Sequence, residues 1–445
     1  MIFEELNALL EEKKYNSFIS IINTLNPVDI AEFLLQIQPT MLYKVFRMLK
    51  KDIAADVFAE LDSDLQQQII DSMKDSEIST FIDTLAMDDT VDMLEEFPAN
   101  VVSRVLQSTS PNLRKEINRF LKYPEGSAAS VMTSEFVRIK SKFTVAEAVS
   151  YIRKTGIDKE TVYVIYVTDA KRTLLGIVEL KDLLFSDENA VIEDIMDSSV
   201  ISAGTHDDQE TVANLISKYD LLALPIVDSE KRLVGIVTVD DALDVLNEEV
   251  TEDIEKMSAI VPSDKPYLKI GVLETFIKRI PWLLILMISA AFTGSIITHY
   301  ESALAKAVIL TAFIPMLMGS GGNAGGQASV TIIRSLSLGE VRMGNILRIL
   351  WKELRVSLLC GASLSIVAFA KVMIFDHAGV LVALVVALAL SATIILANLV
   401  GASLPILAKR INLDPAVMAS PFITTIVDAT SLVIYFFFAT KILGI

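Results

Sequence analysis

The chain has 445 residues, 52% hydrophobic and 21% charged, with a formal net charge of −17 and a mean hydropathy of +0.50. Charge and apolar residues are segregated: from Pro281 onward six acids face ten bases, whereas the residues before it carry 50 acids against 29 bases. An acidic part followed by an apolar, mildly basic part argues against nucleic acid as a partner, since phosphate binding needs a basic face, and marks a membrane protein whose acidic part meets soluble cations or, more commonly, is simply solvated.

The single cysteine, Cys360, lies in an apolar stretch, so no disulfide within the chain is expected. The opening residues MIFEELNALLEEKKYNS lack a basic region followed by an apolar one and are not expected to be a signal peptide. Residues 1–125 read as short amphipathic helices with acid-rich turns, as in NPVDIAEFLLQIQP, KKDIAADVFAELDSD and MDDTVDMLEEFP. Asp29, Asp52 and Asp88 fall near helix starts, where a carboxylate meets the positive end of the helix dipole. This pattern predicts an all-α superhelical repeat domain. An acid at a helix start is by itself usually a cap.

Residues 131–250 contain a duplication. LLGIVELKDLL (174–184) returns as LVGIVTVDDAL (233–243), and SVMTSEFVRI is echoed by DIMDSSVISA. Each copy reads as an apolar strand, a turn with a basic residue, a G-I-V strand and a helix opening at Asp182 or Asp241. These paired units resemble tandem cystathionine-β-synthase (CBS) domains, α/β regulatory modules expected at 131–190 and 195–250. In that family a Ser/Thr-x-x-Asp after the strand can hold a nucleotide's ribose and phosphate. Thr238 and Asp241 match that spacing in the second copy; the first copy departs from it with Glu179 and Asp182.

The junction DDALDVLNEEVTEDIEK (240–256) holds Asp240, Asp241, Asp244, Glu248, Glu249, Glu252, Asp253 and Glu255 with one base. On one helix these acids meet at i, i+3 and i+4, where like charges repel. Either a solvated acidic helix or a divalent-cation site accounts for them. The following YLKIGVLETFIKRIPW reads as an amphipathic connecting helix, placed within 251–279.

Five stretches reach the roughly 20 apolar residues needed to cross a bilayer: 281–299, 303–333, 345–374, 378–408 and 417–441. The second and fourth are interrupted by Gly or Pro, which predicts kinks or tilts. Lys278 and Arg279, the basic cluster from Arg334 to Arg355, and Lys409 with Arg410 all flank the same side. By the positive-inside bias the N-terminal part is expected in the cytosol and the C-terminus outside, in a plasma or inner membrane.

Within the spans, MGSGGNAGGQAS places Gly319, Gly322, Asn323 and Gly326 along one face of the second. Close helix packing explains glycines alone; bared backbone carbonyls can line an ion path if the helix is broken or widened there. In the fifth, Ser420, Thr424, Asp428, Ser431 and Tyr435 form a polar stripe. No Lys, Arg or His lies at a depth comparable to Asp428, so an internal ion pair is not expected, and a carboxylate facing a hydrated cation is favoured over a protonated or hydroxyl-bonded acid. The glycine cluster lacks the GK[ST] of a nucleotide-binding loop. No second buried acid pairs with Asp428 for acid–base chemistry, and an enzyme is not expected.

Along essentially its whole length the chain resembles the MgtE-type magnesium channels, most specifically in GGNAGGQAS and DPAVMASPFITTIVDATSLVIYF. The resemblance implies a homodimer in the bilayer with a pore between subunits. Asp428 matches the ion-binding acid, and Gly319, Gly322 and Thr424 match positions whose carbonyls face the ion's waters; Asn323 and Ser420 complete the candidate pore set. Gly326 and Ser420 stand where the family often has Asn. The resemblance further implies regulatory Mg²⁺ ligands at Asp56, Asp88, Asp92, Asp220, Asp241, Asp244, Glu249, Glu252, Asp253 and Asp414, with ATP at the CBS pair as one further ligand. It implies a Mg²⁺ channel closed by cytosolic Mg²⁺; the alternative is a cation-coupled divalent-metal carrier.

Overall fold

The computed structural model of the chain describes residues 2–157, 159–263, 267, 268, 270–341, 343–418 and 420–444. The chain divides into two compact units, Met1–Leu246 and Asn247–Ile445.

The first unit opens with ten helices of eight to ten residues between Ile2 and Phe120. Their starts are written locally. Asn26, Asp62 and Ser110 each accept a backbone N–H of the first turn, and Pro27 and Pro111 fill the first helical position. Asp29, Asp52 and Asp88 lie in first turns, as their positions predict. The helices bury one stripe each, and Phe46, Phe58 and Phe81 meet edge to face at 4.9–6.1 Å.

The duplication folds as two three-stranded sheets of one topology. In the first, β1 (Phe136–Lys140) runs parallel to β2 (Thr161–Thr168), which pairs antiparallel with β3 (Leu174–Glu179). In the second, β4 (Ala203–Gly204), β5 (Ala223–Val227) and β6 (Leu233–Thr238) repeat that order. The copies exchange their leading segments. Thr133, ahead of β1, trades two backbone hydrogen bonds with Ile236 of β6, and Asp197 trades two with Ile177 of β3. The exchange explains the glycine of each G-I-V. A side chain at Gly235 would meet Met132 Sδ at 2.6 Å, and one at Gly176 would meet Met196 Sδ at 2.8 Å. One hydrophobic core joins the helical part to the second copy, from Phe18 and Phe33 to Leu224 and Val245.

After β6 the helix Val239–Met257 runs without a break through the acidic junction, so the division expected at 250/251 falls inside one helix. Five helices of the second unit are long and apolar enough to cross a membrane: span one (Val272–His299), span two (Val308–Ser337), span three (Ile346–Ile374), span four (Val380–Arg410) and span five (Ala416–Leu443). Span one absorbs the connecting segment from Val272 and carries Pro281 inside it.

Span two corrects an expectation about its shape. Its irregular part is Val308–Phe313, a 3₁₀ turn; the glycine-rich Ile314–Ser337 is unbroken α-helix. The glycines serve packing on one side. A side chain at Gly321 would strike Thr393 and Val427, one at Gly325 would strike Ile423, and one at Gly401 would collide with the Gly325 carbonyl. Spans two, four and five are thus held at backbone contact, as small-residue interfaces allow. Gly319 and Gly326 have open space where a side chain would stand.

This division is testable by thermal unfolding in detergent. Gly401→Val should destabilise the membrane unit by about 1–3 kcal/mol, the cost of overpacking, while Gly319→Ala should leave its midpoint unchanged. Equal effects of the two substitutions would contradict the packing described.

Candidate pore and cation sites

Asp428 is half-buried on span five. Among the described residues no hydrogen bond or ion pair reaches its carboxylate; only its backbone carbonyl is used, accepting from Ser431 Oγ at 2.9 Å. The polar stripe of span five divides at this point. Ser431 and Tyr435 are fully buried, and the Tyr435 hydroxyl donates to the Leu310 carbonyl at 2.9 Å, tying span five to the 3₁₀ turn of span two. Only Thr424 and Asp428 stay partly open. The side chain of Ser420 lies outside the described residues, although its backbone opens the helix Ser420–Leu443.

On span two, Gly319 and Asn323 lie on an exposed face continued by Gln327 and Thr331, while Gly322 is buried. Gly322 packs on Thr424, whose methyl group stands 3.2 Å from where a glycine side chain would begin. The Thr424 hydroxyl is bonded back to the Pro421 carbonyl at 3.0 Å. Because the glycine-rich stretch is α-helical, its carbonyls are engaged within the helix and can offer an ion only a remaining lone pair.

The regulatory candidates of the first unit separate into a crowded group and exposed positions. Asp88 carries a buried oxygen without a hydrogen-bond partner. Burial, then Asp89, Asp241 and Glu160, push its carboxyl well above the usual range. Asp89 is pushed up to about 7 by burial, then by Asp241, Glu160, Asp56 and Glu60. Asp241 is raised by burial, against hydrogen bonds from Thr238, and by Asp240 and Asp244. Asp56 is raised by burial and by Asp52, and Glu160 by lost hydration and then Asp241, Asp240, Glu135 and Asp56. Acids of the helical part therefore crowd acids of the CBS pair. Asp92, Asp220 and Asp244 are exposed; Asp220 ends the helix Gln209–Tyr219 in a left-handed conformation. The nucleotide candidates touch each other, with the Thr238 hydroxyl donating to Asp241.

Sequence reasoning did not select Asp89, Glu60 or Glu160. Asp89 could have been found as the neighbour of Asp88 in one first turn, but nothing local marks Glu160. Among the described residues no group of three or more His, Cys, Asp or Glu side chains is gathered closely enough to hold a bare metal ion. A hydrated Mg²⁺ asks less, because it keeps several waters and uses one or two carboxylates.

In the second unit, Glu252 and Asp414 converge on a cation of the chain itself. Lys256 Nζ lies 2.7 Å from Glu252 Oε1 and 2.6 Å from Asp414 Oδ2. Burial works against the lysine's charge, but the hydrogen bonds to Asp414 and Glu252 outweigh it and raise its pKa. Asp414 Oδ1 also accepts from Ala416 N at 2.8 Å. The residues after this helix are fastened to the base of span one, where Lys278 Nζ donates to the Pro262 carbonyl at 2.8 Å and Val261 N to the Lys278 carbonyl at 3.2 Å. Glu249 and Asp253 lie on the same helix and are partly buried.

The sign of the pH dependence follows from Asp89. Its folded-state pKa lies above the unfolded value of 3.8, so the folded state binds the proton more tightly and loses stability as pH rises from about 4 through about 7. Without divalent cations, the melting temperature of the soluble unit in the detergent-solubilised chain should fall by several degrees between pH 5 and pH 8. Asp89→Asn should flatten that fall. A midpoint that rises over this window would overturn the assignment.

Three family models match in chain order: an MgtE intracellular N domain over residues 25–126, CBS domains over 128–188 and 192–248, and a divalent cation transporter over 314–438. The magnesium transporter MgtE of Thermus thermophilus is 35% identical over 434 residues, covering 97% of this chain and 96% of that protein. The magnesium transporter MgtE of Bacillus subtilis is 33% identical over 436 residues, covering 97% and 95%. Among solved structures, the cytosolic domain of the Mg²⁺ channel MgtE in complex with ATP is 33% identical with a TM-score of 0.52, covering 55% of this chain and 99% of that one. The soluble part of a magnesium transporter is 30% identical with a TM-score of 0.53, covering 56% and 97%. With its helical domain, CBS pair and five apolar spans in the same order, the chain belongs to the MgtE family of magnesium transporters.

Proposed function

We propose that this transporter is a Mg²⁺-selective channel, a homodimer that imports magnesium down its electrochemical gradient and closes when cytosolic Mg²⁺ binds its acidic soluble domains. The carrying observation is Asp428, a carboxylate in a membrane span that no base or hydroxyl of the described chain satisfies. A hydrated dication between two copies of Asp428 supplies the missing positive charge without being stripped of its water. The exposed stripe of Gly319, Asn323, Gln327 and Thr331 supports the same reading, since polar side chains on a membrane helix belong against a partner or a hydrated path rather than lipid. Gly322, Thr424 and Ser420 complete the proposed lining. The basic segments flanking the spans favour soluble domains in the cytosol and a C-terminus outside.

For closure, Asp56, Asp88, Asp92 and Asp241 are the proposed ligands where the helical part meets the CBS pair, with Asp244 on the helix of Asp241 and Asp220 at the end of the helix Gln209–Tyr219. Glu249, Glu252, Asp253 and Asp414 are the proposed ligands toward the membrane. Left without a cation, the crowded carboxylates of the first unit repel one another; bound divalent cations supply the charge that favours the compact, closed state over the separated one. Thr238 and Asp241 are the proposed contacts for ATP, by analogy with the ATP-bound cytosolic domain.

The test is Mg²⁺ flux into proteoliposomes with low and high Mg²⁺ on the cytosolic side. Wild type should conduct at low Mg²⁺ and shut at millimolar Mg²⁺, and Asp428→Ala should lose at least tenfold of its flux. A strict requirement for a sodium gradient would replace the channel by a coupled carrier, and unchanged flux in Asp428→Ala would remove the pore assignment.

A further inference from the structure

The junction helix and the span four–five loop are joined by a cation that belongs to the chain. Lys256 Nζ sits between Glu252 and Asp414 at 2.7 and 2.6 Å, within hydrogen-bond distance of both. The lysine side chain is only 22% exposed. Glu252 precedes Lys256 by four residues on one helix, the favourable order for such a pair, and Asp414 is fixed by its own bond from Ala416 N. Two carboxylates thus already face one positively charged centre. That is also the number a hydrated Mg²⁺ uses while keeping its remaining waters.

The geometry points to Lys256 as an internal competitor that sets the Mg²⁺ concentration at which the membrane-proximal site fills. A divalent cation reaching Glu252 and Asp414 has to displace the ammonium, which gives up two charge-assisted hydrogen bonds and swings on its flexible stem to water. When Mg²⁺ is scarce the lysine keeps the helix clipped to the loop, so the two acids are spared mutual repulsion. When Mg²⁺ is plentiful the dication takes over the bridge. The lysine thereby weakens Mg²⁺ binding at this site and moves it toward higher concentration. This inference rests on the proposed closure by cytosolic Mg²⁺ and identifies a residue that tunes it.

The experiment is hydrogen–deuterium exchange of the segment 247–263 in the full-length, detergent-solubilised chain, titrated with Mg²⁺ at fixed ionic strength. Wild type should show a Mg²⁺-dependent change in protection with a defined midpoint. Lys256→Met should shift the midpoint to lower Mg²⁺ by about tenfold, the equivalent of about 1.4 kcal/mol, and Lys256→Gln should shift it in the same direction, guarding against a fault particular to one variant. Lys256→Arg, which keeps the charge, should stay within about twofold of wild type. A midpoint unchanged or raised in both neutral variants overturns the competitor while leaving Mg²⁺-driven closure standing. The absence of any Mg²⁺ response in wild type overturns both.

Discussion

A carboxylate at the middle of a membrane span costs about 3 kcal/mol when nothing compensates it, and the described chain offers Asp428 no base and no donor. The soluble unit repeats the situation outside the bilayer. Asp88, Asp89, Asp241 and Glu160 are each pushed toward the protonated form by burial first and then by nearby acids, Asp88 by the other three. Among the described residues, both units therefore contain acids that no basic side chain pairs with. On the proposed reading, a folded state that lacks positive charge in these places gains it from the ion. The same shortage that makes the acids costly makes occupancy by a dication favourable.

The membrane unit tolerates the arrangement because its helices are locked elsewhere. Gly321, Gly325 and Gly401 bring the backbones of spans two, four and five into contact, and Tyr435 ties span five to the start of span two. With packing assigned to one side of span two, the opposite side, with Gly319 and Asn323, is left free of intrachain duty. Span one contributes little to this core; Thr293 is its only buried residue among those described, and Trp282 and Tyr300 touch span five through Phe422 and Phe436.

At the junction the contrast with the soluble cluster is instructive. Where Asp88 and its neighbours have no cation, Glu252 and Asp414 have Lys256. A tethered ammonium holds a single charge and depends on no concentration, whereas a dication is stronger but arrives only when the solution supplies it. On the proposed closure by Mg²⁺, a lysine at one cluster and none at the other sets two different thresholds for the same ion.

The sequence by itself determined the division into an acidic soluble part and an apolar part, the duplicated β-α units, the five spans and the isolation of Asp428. Each of these is written in local composition, in periodicity or in a repeat, and survives without knowing what lies across from it. Asp88 was marked only through the resemblance to the MgtE-type channels, and Thr238 and Asp241 through the motif of the CBS family. Tertiary structure decided the rest. No spacing shows that Met132 packs on Gly235 and Met196 on Gly176, because the exchange between copies joins residues about a hundred or twenty apart by shape alone. The polar stripe of span five looks continuous in sequence, yet among its described members Ser431 and Tyr435 are core and only Thr424 and Asp428 are partly exposed, since burial depends on the neighbouring helices and not on helical phase. Glu160 has no local mark and joins an acidic cluster only when the fold sets it beside Asp241, Asp240, Glu135 and Asp56. Lys256 was legible as the lone base among acids; that it bridges to Asp414, 158 residues away, is a fact of the fold.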